Sequence, residues 1–327
     1  MCDSSYSILL SEINADYVFL DLPYHSNIGD TLIWKGTEEL LKSVSYRCLL
    51  RASYQTFQYP ELANDTIIIM HGGGNWGDLY TPHNELRRNV VKRYPENKII
   101  ILPQTVYYEG IRNARNDAKI FRQHKHLTIC ARDKYSYRFL KAFGFCENIL
   151  LMPDMAFHIN VEELKQYYKL PLHKDLIFQR VDKEKTNMNV VNALTDSYDV
   201  SYWPDYEKTE PQVEYLYELI KEGKYEEADE YAVNTYLPAR VEIGVEMISQ
   251  YDKVFSNRLH GAILSILLGK EVYIFDNSYG KNSQYYDTWL RGFNSVHLLS
   301  RSRNFNTVRK CKFFIFWMLS IVDRIIE

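Results

Sequence analysis

The 327-residue chain lacks most of the signatures that would place it quickly. Its cysteines, Cys2, Cys48, Cys130, Cys146 and Cys311, are scattered and never form a Cys-x-x-Cys pair. An odd, dispersed set fits reduced thiols and not a disulfide framework. No histidine pair has HExxH or related ligand spacing, so no zinc signature is present. No GxSxG elbow and no Walker P-loop occurs. Net charge is only −3, so no overall field argues for nucleic acid as a partner. The Met-Cys-Asp-Ser-Ser start has no basic stretch leading into an apolar one, and the expectation is a cytoplasmic protein.

Long apolar runs are missing as well. Phe313 to Val322 reads FFIFWMLSIV. A membrane-spanning helix needs ~20 such residues, so this run is too short. Arg301, Arg303, Arg309, Lys310 and Lys312 precede it. Two readings stand for residues 301–327: a final helix docked on the core, or an interfacial helix at the inner face of a membrane.

What is present points to a folded globular protein. Hydrophobic residues make up 46% of the chain, enough for a proper core. Tyrosine is abundant, at 27, and its flat face and hydroxyl suit sugar contact, although compositional bias is the simpler account. Short apolar runs alternate with helix-like stretches, the pattern of an α/β fold with parallel sheets. Strands are expected at Tyr17–Leu22, Thr66–Met70, Lys98–Leu102, His126–Ala131 and Asn148–Met152. Helices are expected at Thr31–Ser43 and Lys134–Phe143. A second half carries expected strands at Asp175–Gln179, Val200–Trp203, Lys253–Ser256 and Glu271–Phe275. The stretch Glu210–Glu246 reads as mostly helical with a break at Pro238, and Gly261–Leu268 as a further helix. The expected division is a first Rossmann-like domain over 1–160, a second over 161–300, and the tail. Ligands of open α/β sheets bind at the carboxyl ends of the strands. The motifs of this chain fall at those ends.

His71-Gly72-Gly73-Gly74-Asn75-Trp76-Gly77-Asp78 follows the strand TIIIM. Consecutive glycines let a backbone approach a ligand closely, and successive N–H groups can cradle an anion. The segment formally fits GxGxxG. A dinucleotide site also wants an acid ending the next strand, and Leu102-Pro103-Gln104 stands there instead. A tight structural turn is the competing account. Ser256-Asn257-Arg258-Leu259-His260-Gly261 joins a strand to a helix. Arginine pairs bidentately with carboxylate or phosphate, the helix N-terminus adds positive potential, and imidazole can carry a proton. A capped helix with a surface arginine is the alternative. Asn27-Ile28-Gly29-Asp30-Thr31 opens a helix, with Asp30 either a base for a hydroxyl or, like Thr31, a cap. Gln104, Arg132, Asp154 and Lys281 each sit just beyond a strand, where a loop role and a binding role are both open.

Together these motifs resemble the polysaccharide pyruvyl transferase family. The order NIGD, HGGGNWGD, LPQT, RDKYS, PDMAF and SNRLHGAILSILLGKEVYIFDNSYGKN carries the resemblance, from about Asp21 to Asn282. It implies a GT-B-like pair of Rossmann-like domains facing a cleft. It also implies phosphoenolpyruvate as co-substrate, with no cofactor or metal, and a cyclic pyruvate ketal on a surface polysaccharide as product. The family's phosphoenolpyruvate contacts fall on Arg132, Arg258, Leu259 and His260, with Lys281 nearby. His260 is the expected general acid and Asp30 the expected base. Gly72, Gly73, Gly74, Asn75, Gln104 and Asp154 are expected around the substrates. The acceptor would be a hexose such as galactose on a lipid-linked repeat unit. The Thr-Leu-Ile-Trp after NIGD departs from the smaller helix start of the family, which bears on the acceptor side. The chief rival is a nucleotide-sugar glycosyltransferase of the same architecture. A non-catalytic carbohydrate-binding protein would not need the arginine cluster.

Overall fold

A computed structural model describes residues 3–179, 195–203, 211–277 and 280–299. The expected C-terminal helix over 301–327 lies outside them. No helix among the described residues is long and apolar enough to cross a membrane.

The first half runs α1 (Asp3–Glu12), β1 (Tyr17–Leu20), α2 (Ile28–Leu41), β2 (Cys48–Ala52), β3 (Ile67–Met70), β4 (Gly73–Gly77), α3 (Thr81–Arg93), β5 (Ile99–Tyr107), α4 (Ile111–Phe121), β6 (Leu127–Ala131), α5 (Lys134–Phe143) and β7 (Asn148–Leu151). A 3-10 turn at Met155–His158 and α6 (Val161–Leu164) lead to the second half. There follow β8 (Asp175–Phe178), β9 (Tyr198–Ser201), α7 (Pro211–Lys221), α8 (Tyr225–Tyr231), a π-helical turn Ala232–Tyr236 and α9 (Leu237–Ser249). The chain closes with β10 (Lys253–Ser256), α10 (Leu259–Leu267), β11 (Glu271–Ile274), α11 (Lys281–Tyr285), a second π turn Tyr286–Leu290 and β12 (Val296–Leu298).

Among the described residues every strand pairing is parallel. The first sheet has the order β2-β1-β3-β5-β6-β7, with β4 added beside β5. The second has the order β12-β11-β10-β8-β9. In each sheet the order of strand addition therefore reverses once, between β1 and β3 and between β8 and β10. Crevices at such switch points are where α/β sheets place ligands.

Strand residues alternate between two buried faces, as parallel sheets covered on both sides require. Phe19, Ile67 and Ile69 point into one core, and Val18, Leu20, Ile68 and Met70 into another. The first core is continuous with the second half, since it also holds Phe178, Val241, Val245, Val254 and Ile263. Helix α2 lies in this shared core, in contact with α9, α10 and the Met155–His158 turn. A Cβ on Gly36 of α2 would lie 1.9 Å from the Met155 carbonyl, so only glycine permits that approach.

Three expectations are corrected. The glycine-rich segment is neither a loop nor a tight turn: it continues as strand β4 beside the carboxyl half of β5, and α3 begins only at Thr81. Strand β5 does not end near Gln104 but runs to Tyr107. Pro103, which cannot donate to a ladder, falls where the β5–β6 register shifts. The helical path does not break at Pro238. The π turn precedes it, and Pro238 sits in the first turn of α9, where its missing N–H is tolerated.

Candidate functional site

The carboxyl ends of both sheets converge on one buried carboxylate. Asp154 follows β7 and lies 1% exposed. Its Oδ2 accepts from Arg132 Nη1 at 2.7 Å and from His260 Nε2 at 3.2 Å. Arg132 follows β6 directly, and His260 sits in the first turn of α10, so the carboxylate ties the two halves together. Burial works against ionised Asp154, but His260, Arg132 and the Ala156 N–H more than reverse this. The carboxyl is held well below its ordinary range. Burial likewise opposes the Arg132 charge, and Asp154 more than compensates, leaving the guanidinium pKa raised. Such a pair is costly to separate, because either partner alone would be an uncompensated buried charge.

The second half also holds Arg132 through its backbone. Trp289 Nε1 donates to the Arg132 carbonyl at 2.8 Å, and the Lys134 N–H donates to Thr288 Oγ1 at 3.3 Å. The Asp154 N–H donates to Tyr285 Oη at 3.0 Å. Arg132 Nε donates to Thr105 Oγ1 at 3.2 Å. The fork is thus held by Asp154 and Thr105, and its main chain by Trp289.

Glycine leaves room beside these groups. A Cβ on Gly74 would lie 3.1 Å from Arg132 Nη2 and 3.8 Å from Lys281 Nζ, so two cations flank that position. A Cβ on Gly73 would lie 3.8 Å from Asp30 Oδ1. One on Gly29 would stand 2.8 Å from His260 Nδ1. Gly29, Asp30, Gly73, Gly74, Arg132, Asp154, His260 and Lys281 therefore form one cluster.

Asp30 is not the helix cap. Asn27 caps α2, its Oδ1 accepting from the Gly29 N–H at 3.0 Å while its Nδ2 donates to Asp30 Oδ2 at 2.8 Å. Burial would raise the Asp30 pKa, but His25, His260, His71 and Lys281 outweigh it, and the carboxyl is held ionised below its usual value.

Other expected residues play supporting parts. Arg258 precedes α10, its N–H donating to Ser256 Oγ at 3.0 Å and its Nε to the Gln179 carbonyl at 3.4 Å. It thereby stands at the β8/β10 switch point, beside a helix N-terminus that favours anions. The Leu259 side chain is packed in the shared core. Gly72 lies against the Pro103 carbonyl. The Asn75 side chain is engaged by buried Arg87, whose Nη2 donates to Oδ1 at 2.7 Å. Gln104 Nε2 donates to the His71 carbonyl at 2.8 Å, bracing the start of the glycine strand.

Several residues escaped the sequence reading. Asp21 holds a positive φ of 68° at the end of β1 and pairs with Arg87 at 2.7 Å and His83 at 2.6 Å, all buried. A non-glycine residue in that conformation marks a site worth explaining. His71 donates from Nδ1 to the Gly72 carbonyl, and burial pulls its pKa down to about 4. His25 approaches Asp30. The one signal available was their position just after β1 and β3.

The family model for polysaccharide pyruvyl transferase matches residues 27–279. The chain belongs to the polysaccharide pyruvyl transferase family. A Bacillus subtilis protein named as pyruvyl transferase EpsO is 35% identical over 88% of this chain and 89% of its own length. Pyruvyl transferase 1 of Schizosaccharomyces pombe is 28% identical over 84% of this chain and 69% of its own. A functionally uncharacterised Klebsiella pneumoniae protein of known structure shares the fold at a TM-score of 0.62 and 21% identity, covering 92% of this chain and all of its own. This pyruvyl transferase is thus an enzyme that acts in polysaccharide biosynthesis.

Proposed function

We propose that the enzyme takes its pyruvyl group from phosphoenolpyruvate and closes a cyclic ketal on two hydroxyls of a hexose in a lipid-linked repeat unit. The carrying observation is the Arg132–Asp154–His260 cluster beside Gly74 and Lys281. Phosphoenolpyruvate carries a carboxylate and a phosphate on a small frame, and needs several fixed cations. Arg132, Lys281 and Arg258, with the α10 N-terminus, supply them. Gly73 and Gly74 let the donor lie against β4.

In this reading Nε2 of His260, which faces both Asp154 and Arg132, donates to the Asp154 carboxylate, and Nδ1, facing Gly29, is the nitrogen that exchanges a proton. In this mechanism His260 protonates the methylene carbon, the carbon bearing phosphate becomes electrophilic, and a sugar hydroxyl adds there. The C–O bond to phosphate then breaks, and the second hydroxyl closes the ring. Two hydroxyl protons are given up: one balances the new methyl hydrogen, and the other leaves with phosphate. Asp30, held ionised, takes a hydroxyl proton.

The nucleotide-sugar reading loses its main support, because the glycine segment is a strand and presents no helix N-terminus to a diphosphate. We place the lipid-linked acceptor, and with it peripheral contact at the inner membrane face, among the features this reading expects.

The test is phosphate release from phosphoenolpyruvate with a panel of galactoside, mannoside and N-acetylhexosamine acceptors. Acceptor-dependent release that His260→Ala reduces by ~10²–10⁴-fold is the expected result. A loss of only a few fold would demote His260 to binding. Failure of phosphoenolpyruvate to bind in calorimetry would overturn the donor assignment.

A further inference from the structure

Resting on that reading, we infer that His25 is a positioning residue of the same site, holding Asp30 in the orientation that receives a sugar hydroxyl's proton. The Asn27 N–H donates to His25 Nδ1 at 3.4 Å. Nδ1 is therefore the accepting nitrogen, and the ring proton of neutral His25 sits on Nε2. Nε2 lies 3.6 Å from Asp30 Oδ2, an electrostatic contact one step short of a hydrogen bond. Asn27 Nδ2 donates to the same oxygen. Oδ2 is thus held by one donor, Asn27, with the His25 ring alongside it, while Oδ1 is the oxygen that lies toward Gly73.

The second half fixes this arrangement from outside. Tyr236 Oη donates to the His25 carbonyl at 2.5 Å, and Arg240 Nη2 donates to the Ser26 carbonyl at 2.5 Å. Tyr236 is the last residue of the π turn, and such turns recur at functional sites because the extra residue re-aims a helix face. The loop between β1 and α2 is consequently set by α9 as much as by its own cap.

Asp30 is faced by His25, His71 from the end of β3, His260 from α10 and Lys281 from α11. His25 is faced by Asp30, by Asp21 at the end of β1 and by His83 of α3. Burial lowers the His25 pKa, against the opposing pull of Asp30 and Asp21.

Two variants isolate the Nε2 contact. In His25→Asn, a side-chain oxygen can still accept from the Asn27 N–H, but the amide stops short of Asp30. In His25→Gln, the amide nitrogen reaches the Nε2 position. Acceptor-dependent phosphate release is measured across pH for wild type, both variants and Asp30→Asn, with folding checked by melting. His25→Asn should lower kcat roughly tenfold or more, less than the ~10²–10⁴-fold expected of the base itself. It should leave the phosphoenolpyruvate KM unchanged and move the acidic limb to higher pH, because the carboxylate loses an electrostatic contact that favours its ionised form. His25→Gln should restore most of both. An unmoved limb, or a Gln variant no better than Asn at equal stability, would sink the proposal. So would a phosphoenolpyruvate KM that rises in step with the loss of kcat. Failure of the underlying reading looks different: wild type itself would then show neither phosphate release nor phosphoenolpyruvate binding.

Discussion

Gly29 and His260 meet face to face, with a Cβ on the glycine only 2.8 Å from the imidazole Nδ1. Gly29 lies inside α2, where alanine is intrinsically favoured by ~1 kcal/mol. Stability and activity should therefore part company. Gly29→Ala is expected to melt at or near the wild-type temperature while turnover drops at least tenfold, as His260 is displaced. Paired melting curves and phosphate-release rates check this. A fully active alanine variant would show that His260 Nδ1 does not work in that space.

Asp154 carries two partners on one oxygen, Arg132 and His260. Asp154→Asn keeps the shape and removes the charge. It should destabilise the fold by about 3–5 kcal/mol, the usual cost of leaving one member of a buried pair alone. Because the folded-state pKa is depressed, the wild-type carboxylate's stabilisation is present above the unfolded carboxylate range. It is lost only as pH falls through the still lower folded value. Denaturant titrations of both proteins should accordingly differ by a constant amount through neutral and mildly acidic pH. A gap that closes before the pH reaches the ordinary carboxylate range would contradict the depressed value.

Arg258 and lysine are not interchangeable at a forked anion contact. Arg258→Lys should raise the phosphoenolpyruvate KM by tenfold or more with little change in melting temperature. Near-normal KM would remove Arg258 from the donor clamp.

Asp229 of α8 accepts from Tyr24 Oη at 2.8 Å and Thr56 Oγ1 at 2.7 Å, linking the halves through a carboxyl. Burial raises its pKa to about 6, against a smaller opposing effect of those hydroxyls. A raised folded pKa means the stabilisation is complete below the unfolded value of 3.8 and lost as pH rises through about 6. Asp229→Asn should therefore be more stable than wild type at alkaline pH by up to about 3 kcal/mol, with the advantage shrinking toward acid. Melting temperatures at several pH values decide it, and a pH-independent difference would count against the assignment.

How much of this was legible in the chain differs by level. Helix α5 and strand β10 fall where apolar periodicity and flanking turn residues put them, at Lys134–Phe143 and Lys253–Ser256. Both signals are local, so a window of about ten residues suffices. The glycine segment misled because glycine permits a loop and a strand alike. What made it a strand was β5, whose edge beyond Gln104 lay open to receive it.

The sequence by itself determined the alternating α/β pattern, the motifs at strand ends and, through their order, the family. Only the tertiary structure decided which of those motifs touch. Asp154 and His260 are 106 positions apart, and Tyr236 lies 211 positions beyond the His25 carbonyl it holds. No local propensity encodes such pairings. They follow from two sheets in the order that puts β1 beside β3 and β8 beside β10, and from α2 lying in the core both halves share. Local residue chemistry sets which groups are offered to a site, and long-range packing sets the few ångströms between them.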